Sequence, residues 1–141
     1  VIFWDTSALI KAYLEPEPGH ARARNLLLSG EAQAASTLLF PEAAGAVARR
    51  TGHRPHLRDA ILDLLERHRE GMNLVPFLEE HVESALRLAR RYALRGADAV
   101  HLATALQVFR ECGRRNFRFV TADAEQLAAA RAEGLRVLGL P

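Results

Sequence analysis

The chain has 141 residues, 49% of them hydrophobic and 26% charged, with a formal net charge of +2. That is enough chain and enough apolar content for one self-sufficient core, which excludes intrinsic disorder and leaves no comfortable room for two. Cys112 is the single cysteine, so neither an intramolecular disulfide nor a cysteine-based zinc site can form.

No repeat, low-complexity tract or long linker interrupts the sequence, and residues 1–141 read as one domain. No apolar run reaches the length of a membrane span, and the opening Val1-Ile2-Phe3-Trp4 meets a charge at Asp5, unlike a secretory core segment. The expectation is a soluble, cytoplasmic protein without membrane contact. A mildly basic balance permits nucleic-acid binding without demanding it. The cations are arginines apart from Lys11. Arginine suits bidentate phosphate contacts, although codon bias produces the same composition.

In chain order, Val1–Trp4 is a short buried strand running straight into Asp5. Thr6 and Ser7 are placed to cap a helix extending to about Leu14, and Glu15-Pro16-Glu17-Pro18-Gly19 breaks it. A helix over about His20–Ser29 and a weak strand over Ala32–Ser36 follow. Leu38–Arg50 reads as a helix with Leu39, Ala43 and Val47 on one side, Pro41 being tolerable in its first turn. Pro55–Arg69 carries the apolar stripe Leu57, Ile61, Leu64 and Leu65. Met72–Pro76 is a third strand. Glu79–Leu94 is an amphipathic helix expected to bury Val82, Leu86 and Ala89 and to pair Glu83 with Arg87 outside. Asp98–Cys112 is a helix ended by Gly113, and Phe117–Val120 is the clearest interior strand. Asp123–Glu133 is a helix closed by Gly134, and Leu135–Leu138 is the last strand. This alternation implies an α/β fold, with a mostly parallel central sheet flanked by helices on both faces.

In such sheets, sites form where strand C-terminal ends meet helix N-termini. Asp5 and Asp123 follow strands, Asp98 stands at a helix start after Gly96-Ala97, and Glu42 lies in the first turns of another helix. Four carboxylates from four segments can therefore meet at one sheet edge. Each acid alone is also a plausible cap, and Asp123 with Gln126 resembles a capping box. Glu42 resists that explanation. Its helical neighbours are Leu38, Leu39, Gly45 and Ala46, and the basic residue on its face, Arg49, is two turns away, so a bound cation is the simpler partner. Four clustered acids repel one another unless neutralised. Hard oxygen donors select Mg²⁺ or Mn²⁺, and ions so held serve phosphodiester hydrolysis.

The segments Val1–Leu9, Pro41-Glu42, Leu94–Ala105 and Phe119–Asp123 resemble, in order, the motifs of PIN domains, and most of all the VapC-type toxins of toxin–antitoxin pairs. The resemblance spans nearly the whole chain. It implies a magnesium-dependent endoribonuclease acting on RNA, dimeric and held inactive by a cognate antitoxin, with Asp5, Glu42, Asp98 and Asp123 as its acidic quartet. Ser7 and Thr121 could orient Asp5 and Asp123, or simply cap and close strand ends. His101, one turn beyond Asp98, either touches the site or packs in the core. Arg95 could meet an RNA phosphate; Arg87, Arg90 and Arg91 read as a solvated face. Trp4 and Tyr13 either stack on bases or pack inside. Leu26–Leu28 offer apolar surface for a partner. Two alternatives stand beside this reading: a non-catalytic PIN-fold module for RNA binding or dimerisation, and a haloacid-dehalogenase-type phosphatase, which needs an acid where Ser7 stands.

Overall fold

Strand β1 (Ile2–Trp4) is buried along its whole length because both of its faces are covered. In the computed structural model, which describes residues 1–141 with the side chain of Arg114 left aside, β1 is the middle strand of a five-stranded parallel sheet. The sheet order is β3 (Asn73–Val75), β2 (Gln33–Ser36), β1, β4 (Arg118–Thr121), β5 (Val137–Gly139). Phe3 lies opposite Ala34 on one side and Phe119 on the other. From β1 the chain builds outward through β2 and β3, then returns to the far side of β1 for β4 and β5. The order therefore reverses between β1 and β4, and a crevice opens there above the strand C-terminal ends.

Strand side chains alternate, so β1 feeds two cores. Ile2 and Trp4 join Val120 and the helices α1 (Thr6–Leu9), α2 (His20–Leu27), α3 (Leu39–Thr51) and α4 (Pro55–Glu70). Phe3 joins Phe117, Phe119 and the helices α5 (Glu79–Tyr92), α6 (Gly96–Cys112) and α7 (Ala124–Ala132). The two-faced, parallel α/β architecture expected from the alternation is the one observed. No helix among the described residues is long and apolar enough to cross a membrane.

Several local expectations change. The first helix is shorter than expected, passing into a 3-10 turn at Ile10–Ala12, and its cap is Asp5 rather than Thr6 or Ser7: the Asp5 carboxylate accepts from the Ser7 amide. Pro41 falls in the first turn of α3, where its missing N–H costs little. In α4, Ile61 and Leu65 are buried while Leu57 is exposed. Trp4 and Tyr13 are core residues, so neither is a base-stacking platform. Leu26 and Leu27 pack against the core, and only Leu28 of that trio is exposed.

The largest correction concerns α5. His81, Ala85 and Leu88 face inward and Ala89 packs beside them as expected, whereas Val82 and Leu86 are 38% and 60% exposed. The helix is turned one residue from the expected setting because polar contacts decide it. His81 bonds both the Leu78 amide and Gln107 on α6. Tyr92 donates to Glu133 at 2.8 Å, and Arg87 reaches the same carboxylate with two bonds of 3.0 and 2.9 Å instead of pairing with Glu83.

Candidate active site

The cleft at the strand-order reversal encloses about 440 Å³ and is lined by Asp5, Glu42, Asp98 and Asp123 together with Thr6, Ser7, Arg49, Arg50 and Arg95. All four expected acids are thus brought to one place. Each arrives by a local cause: Asp5 ends β1 and caps α1, Asp123 caps α7 by accepting from the Gln126 amide, Asp98 sits in the first turn of α6, and Glu42 in the first turn of α3. The positive ends of these helices favour carboxylates.

Asp5 is nearly inaccessible, at 2% exposure, and its Oδ2 is saturated. It accepts from the Ser7 amide at 3.1 Å, from the Ser7 hydroxyl, and from Thr121 Oγ1 at 3.0 Å. The Ser7 hydroxyl also accepts from the Ala122 amide at 2.9 Å, tying the end of β4 to α1. Thr121 accepts from the Asp123 amide at 3.0 Å and shares its single proton between Asp5 and Gln126. Both hydroxyls bond the Asp5 carboxylate, and Thr121 meets Asp123 only through its backbone amide.

Glu42 has an unexpected partner. His101, fully buried, lies with Nε2 2.6 Å from Glu42 Oε2, and Thr6 donates to the same oxygen at 2.7 Å. The His101 bond, aided by Thr6, holds the Glu42 carboxyl below its ordinary range against the opposing effect of burial. His101 lies 59 positions along the chain, outside the helical neighbours among which Glu42 had no protein partner. His101 Nδ1 is buried without a hydrogen bond among the described residues. The sequence signal for His101 was its place one turn beyond Asp98; Thr6 carried none.

Asp98 is the strained acid. Burial raises its pKa first, and the Asp5 and Asp123 carboxylates raise it further, while Arg95 opposes them. Arg95 stands 3.2 Å from Asp98 and 3.7 Å from Asp123 and is itself widely exposed. Gln126, fully buried, locks the surrounding joint. It accepts from Thr121 at 2.9 Å and donates to the Asp98 carbonyl at 3.1 Å, so one side chain fastens α6 to the β4–α7 corner. Sequence reasoning saw Gln126 only as half of a capping box; the box is not reciprocal, because its amide group turns away from Asp123.

Among the described residues no group of three or more His, Cys, Asp or Glu side chains is disposed to hold a metal ion as it stands. Glu42 is drawn toward His101, and Arg95 occupies the space over Asp98 and Asp123. The donor set nevertheless suits a hard divalent cation. It is all carboxylate oxygen, Asp5 keeps Oδ1 free of hydrogen bonds on the cleft side, and the excess negative charge on Asp98 is what a cation would relieve.

The fold and cleft define an open parallel α/β protein with an anionic site at its topological switch point. The chain belongs to the PIN-domain family, whose match, described as PIN domain, spans residues 2–132. It is 35% identical over 145 aligned positions to Ribonuclease VapC45 of Mycobacterium tuberculosis, covering 97% of this chain and 94% of the relative, and equally to Ribonuclease VapC49 of the same species. Among solved structures, FitAcB from Neisseria gonorrhoeae superposes with a TM-score of 0.72 at 21% identity, over 99% of this chain and 97% of that one. VapC20 of Mycobacterium tuberculosis, a Sarcin-Ricin loop cleaving toxin, superposes at 0.68 and 21% identity over 96% of both chains. These structural likenesses establish the fold.

Proposed function

We propose that residues 1–141 act as one PIN-type nuclease domain: a divalent-metal-dependent endoribonuclease hydrolysing RNA phosphodiester bonds, and the toxin of a toxin–antitoxin pair. The observation that carries the reading is the convergence of Asp5, Glu42, Asp98 and Asp123, from four separate segments, on one cleft. Full-length identity of 35% to relatives named as ribonucleases supports the substrate class. Family membership sets aside the phosphatase alternative.

On this reading Asp5 and Asp98, which line the cleft, would hold Mg²⁺ or Mn²⁺, with Glu42 and Asp123 completing the oxygen set. When bound, the ion acidifies nearby water and offsets charge on the attacked phosphate. The chain's own side chains do the rest. Ser7 and Thr121 fix the Asp5 carboxylate so that Oδ1 faces the cleft. His101 and Thr6 keep Glu42 ionised and aimed, leaving it able to accept a proton or a hydrogen bond from water. Arg95 is held over Asp98 and Asp123 only by exposed contacts, each worth about 0–1 kcal/mol. It is therefore free to turn to an RNA phosphate without a large cost.

The partners on this reading are RNA, a cognate antitoxin protein and a second copy of the chain. Exposed apolar residues for such contacts lie at Leu28 and along α5 at Leu78, Val82 and Leu86. The test is RNA cleavage by the purified protein. Chelator should abolish it, and Mg²⁺ or Mn²⁺ should restore it. Asp5→Asn and Asp98→Asn should be inactive yet folded, and at least as stable as the parent in chelator because each relieves like-charge repulsion. Wild-type rates in both variants, or activity indifferent to chelator, refute the metal-nuclease reading and leave the non-catalytic module.

A further inference from the structure

The three arginines of the cleft are not equivalent. Arg50 is committed to Glu17, which also takes Lys11 at 3.5 Å. Arg95 stands against Asp98 and Asp123, and its weak exposed contacts leave it able to turn away from them. Arg49 lines the same cleft but has neither an ion pair nor a side-chain hydrogen bond among the described residues.

Arg49 is exposed, yet its guanidinium lies against its own helix rather than reaching away from it. Helical side chains lean toward the helix N-terminus, and Arg49 lies back along α3 over Gly45. A Cβ built at Gly45 would stand 3.2 Å from Arg49 Nη1. Gly45 has no left-handed backbone to explain it, and in mid-helix glycine is a poor helix former. What its missing side chain supplies is room. Glu42, Gly45 and Arg49 share one stripe of α3, so the notch carries the cationic head a turn closer to the acids without pairing it to any of them.

We infer that Arg49 is a phosphate-binding residue of this cleft, gripping an RNA phosphate that flanks the one cut, on the α3 side, with Gly45 as the notch that admits its guanidinium. The inference rests on the nuclease reading above. A cation kept in an acid-lined cleft without an internal partner is complemented by an anion from outside, and the planar guanidinium matches two phosphate oxygens at once.

The test uses a short fluorescent single-stranded RNA, binding followed by anisotropy in Mg²⁺ over a series of salt concentrations, in the full-length Asp98→Asn background. Arg49→Gln should bind about tenfold more weakly, the loss of one charge-assisted contact. Its log K against log salt slope should fall by about 0.7, the value of one single-strand phosphate contact. Gly45→Ala should raise thermal stability yet weaken binding, and should weaken it only where Arg49 is present, because its effect runs through that side chain. An unchanged salt slope in Arg49→Gln overturns the assignment, as does a Gly45→Ala loss of equal size with and without Arg49. If the protein binds none of the RNA with or without the Asp98→Asn change, or if Asp98→Asn cuts it at the wild-type rate, the metal-nuclease reading falls and takes this inference with it. Binding without cutting, with Arg49→Gln indistinguishable from its parent, overturns the Arg49 assignment alone.

Discussion

Replacing Gln126 by leucine probes the joint that holds the cleft together. The side chain is fully buried and makes two hydrogen bonds, accepting from Thr121 at 2.9 Å and donating to the Asp98 carbonyl at 3.1 Å. Leucine fills similar space but makes neither. At a net 0.5–1.5 kcal/mol per bond, the loss is about 1–3 kcal/mol. The lower half of that range is the better expectation, since Thr121 keeps Asp5 as a second acceptor and leucine is the more favourable residue to bury. Urea unfolding should show a lower midpoint with an unchanged m-value. Because Gln126 fastens the first turn of α6 to the β4–α7 corner, RNA cleavage should fall more than stability alone explains when assayed well below the unfolding midpoint. Gln126→Glu should be worse on both counts: it keeps the acceptor toward Thr121, loses the donor toward the Asp98 carbonyl, and adds a buried negative charge beside Asp98 and Asp123. A Gln126→Leu protein within about 0.5 kcal/mol of wild type and fully active would refute the argument, since that is the scatter of a featureless surface change.

Glu42→Gln and Asp123→Asn should reduce RNA cleavage less than Asp5→Asn or Asp98→Asn, as measured by initial rates at saturating Mg²⁺. Glu133 links α7 to α5, and its carboxyl is held below its ordinary range first by the Arg87 bonds and then by Tyr92. A depressed carboxyl stabilises the fold above its unfolded-state pKa and loses that contribution as pH falls through the folded value. Glu133→Gln should therefore be less stable than wild type by about 1 kcal/mol at pH 7, with the gap closing below pH 4.5, followed by urea unfolding across that range. Leu88→Ala should cost about 2–5 kcal/mol by opening a cavity in the second core, whereas Leu86→Ala one residue-pair away should be nearly neutral; thermal or urea denaturation separates them. Light scattering at micromolar concentration should show a dimer, and a strict monomer would remove the second copy from the partners.

What the sequence determined by itself lies in features that are local along the chain. The apolar run at Ile2–Trp4 ending in Asp5, the run into Thr121 and Asp123, and the alternation of short strands with helices carry their own periodicity and punctuation. Those are enough for a parallel α/β sheet with acids at one edge. The ordered motifs around Asp5, Glu42, Asp98 and Asp123 were legible for the same reason, and the structure gathers all four on one cleft. What only the tertiary structure decided are pairings between distant segments. Beside Ala89, Val82 and Leu86 make as good an apolar stripe as His81, Ala85 and Leu88; the choice fell to bonds from His81 to Gln107 and from Arg87 and Tyr92 to Glu133, which no window along α5 contains. Glu42 looked unpartnered because its partner, His101, is on another helix. Gln126 looked like a cap because its contacts with Thr121 and the Asp98 carbonyl exist only once β4, α6 and α7 meet. Hydrophobic period sets which elements form, but a buried polar group must find its partner wherever the fold places one, and that requirement turns helices and aims carboxylates.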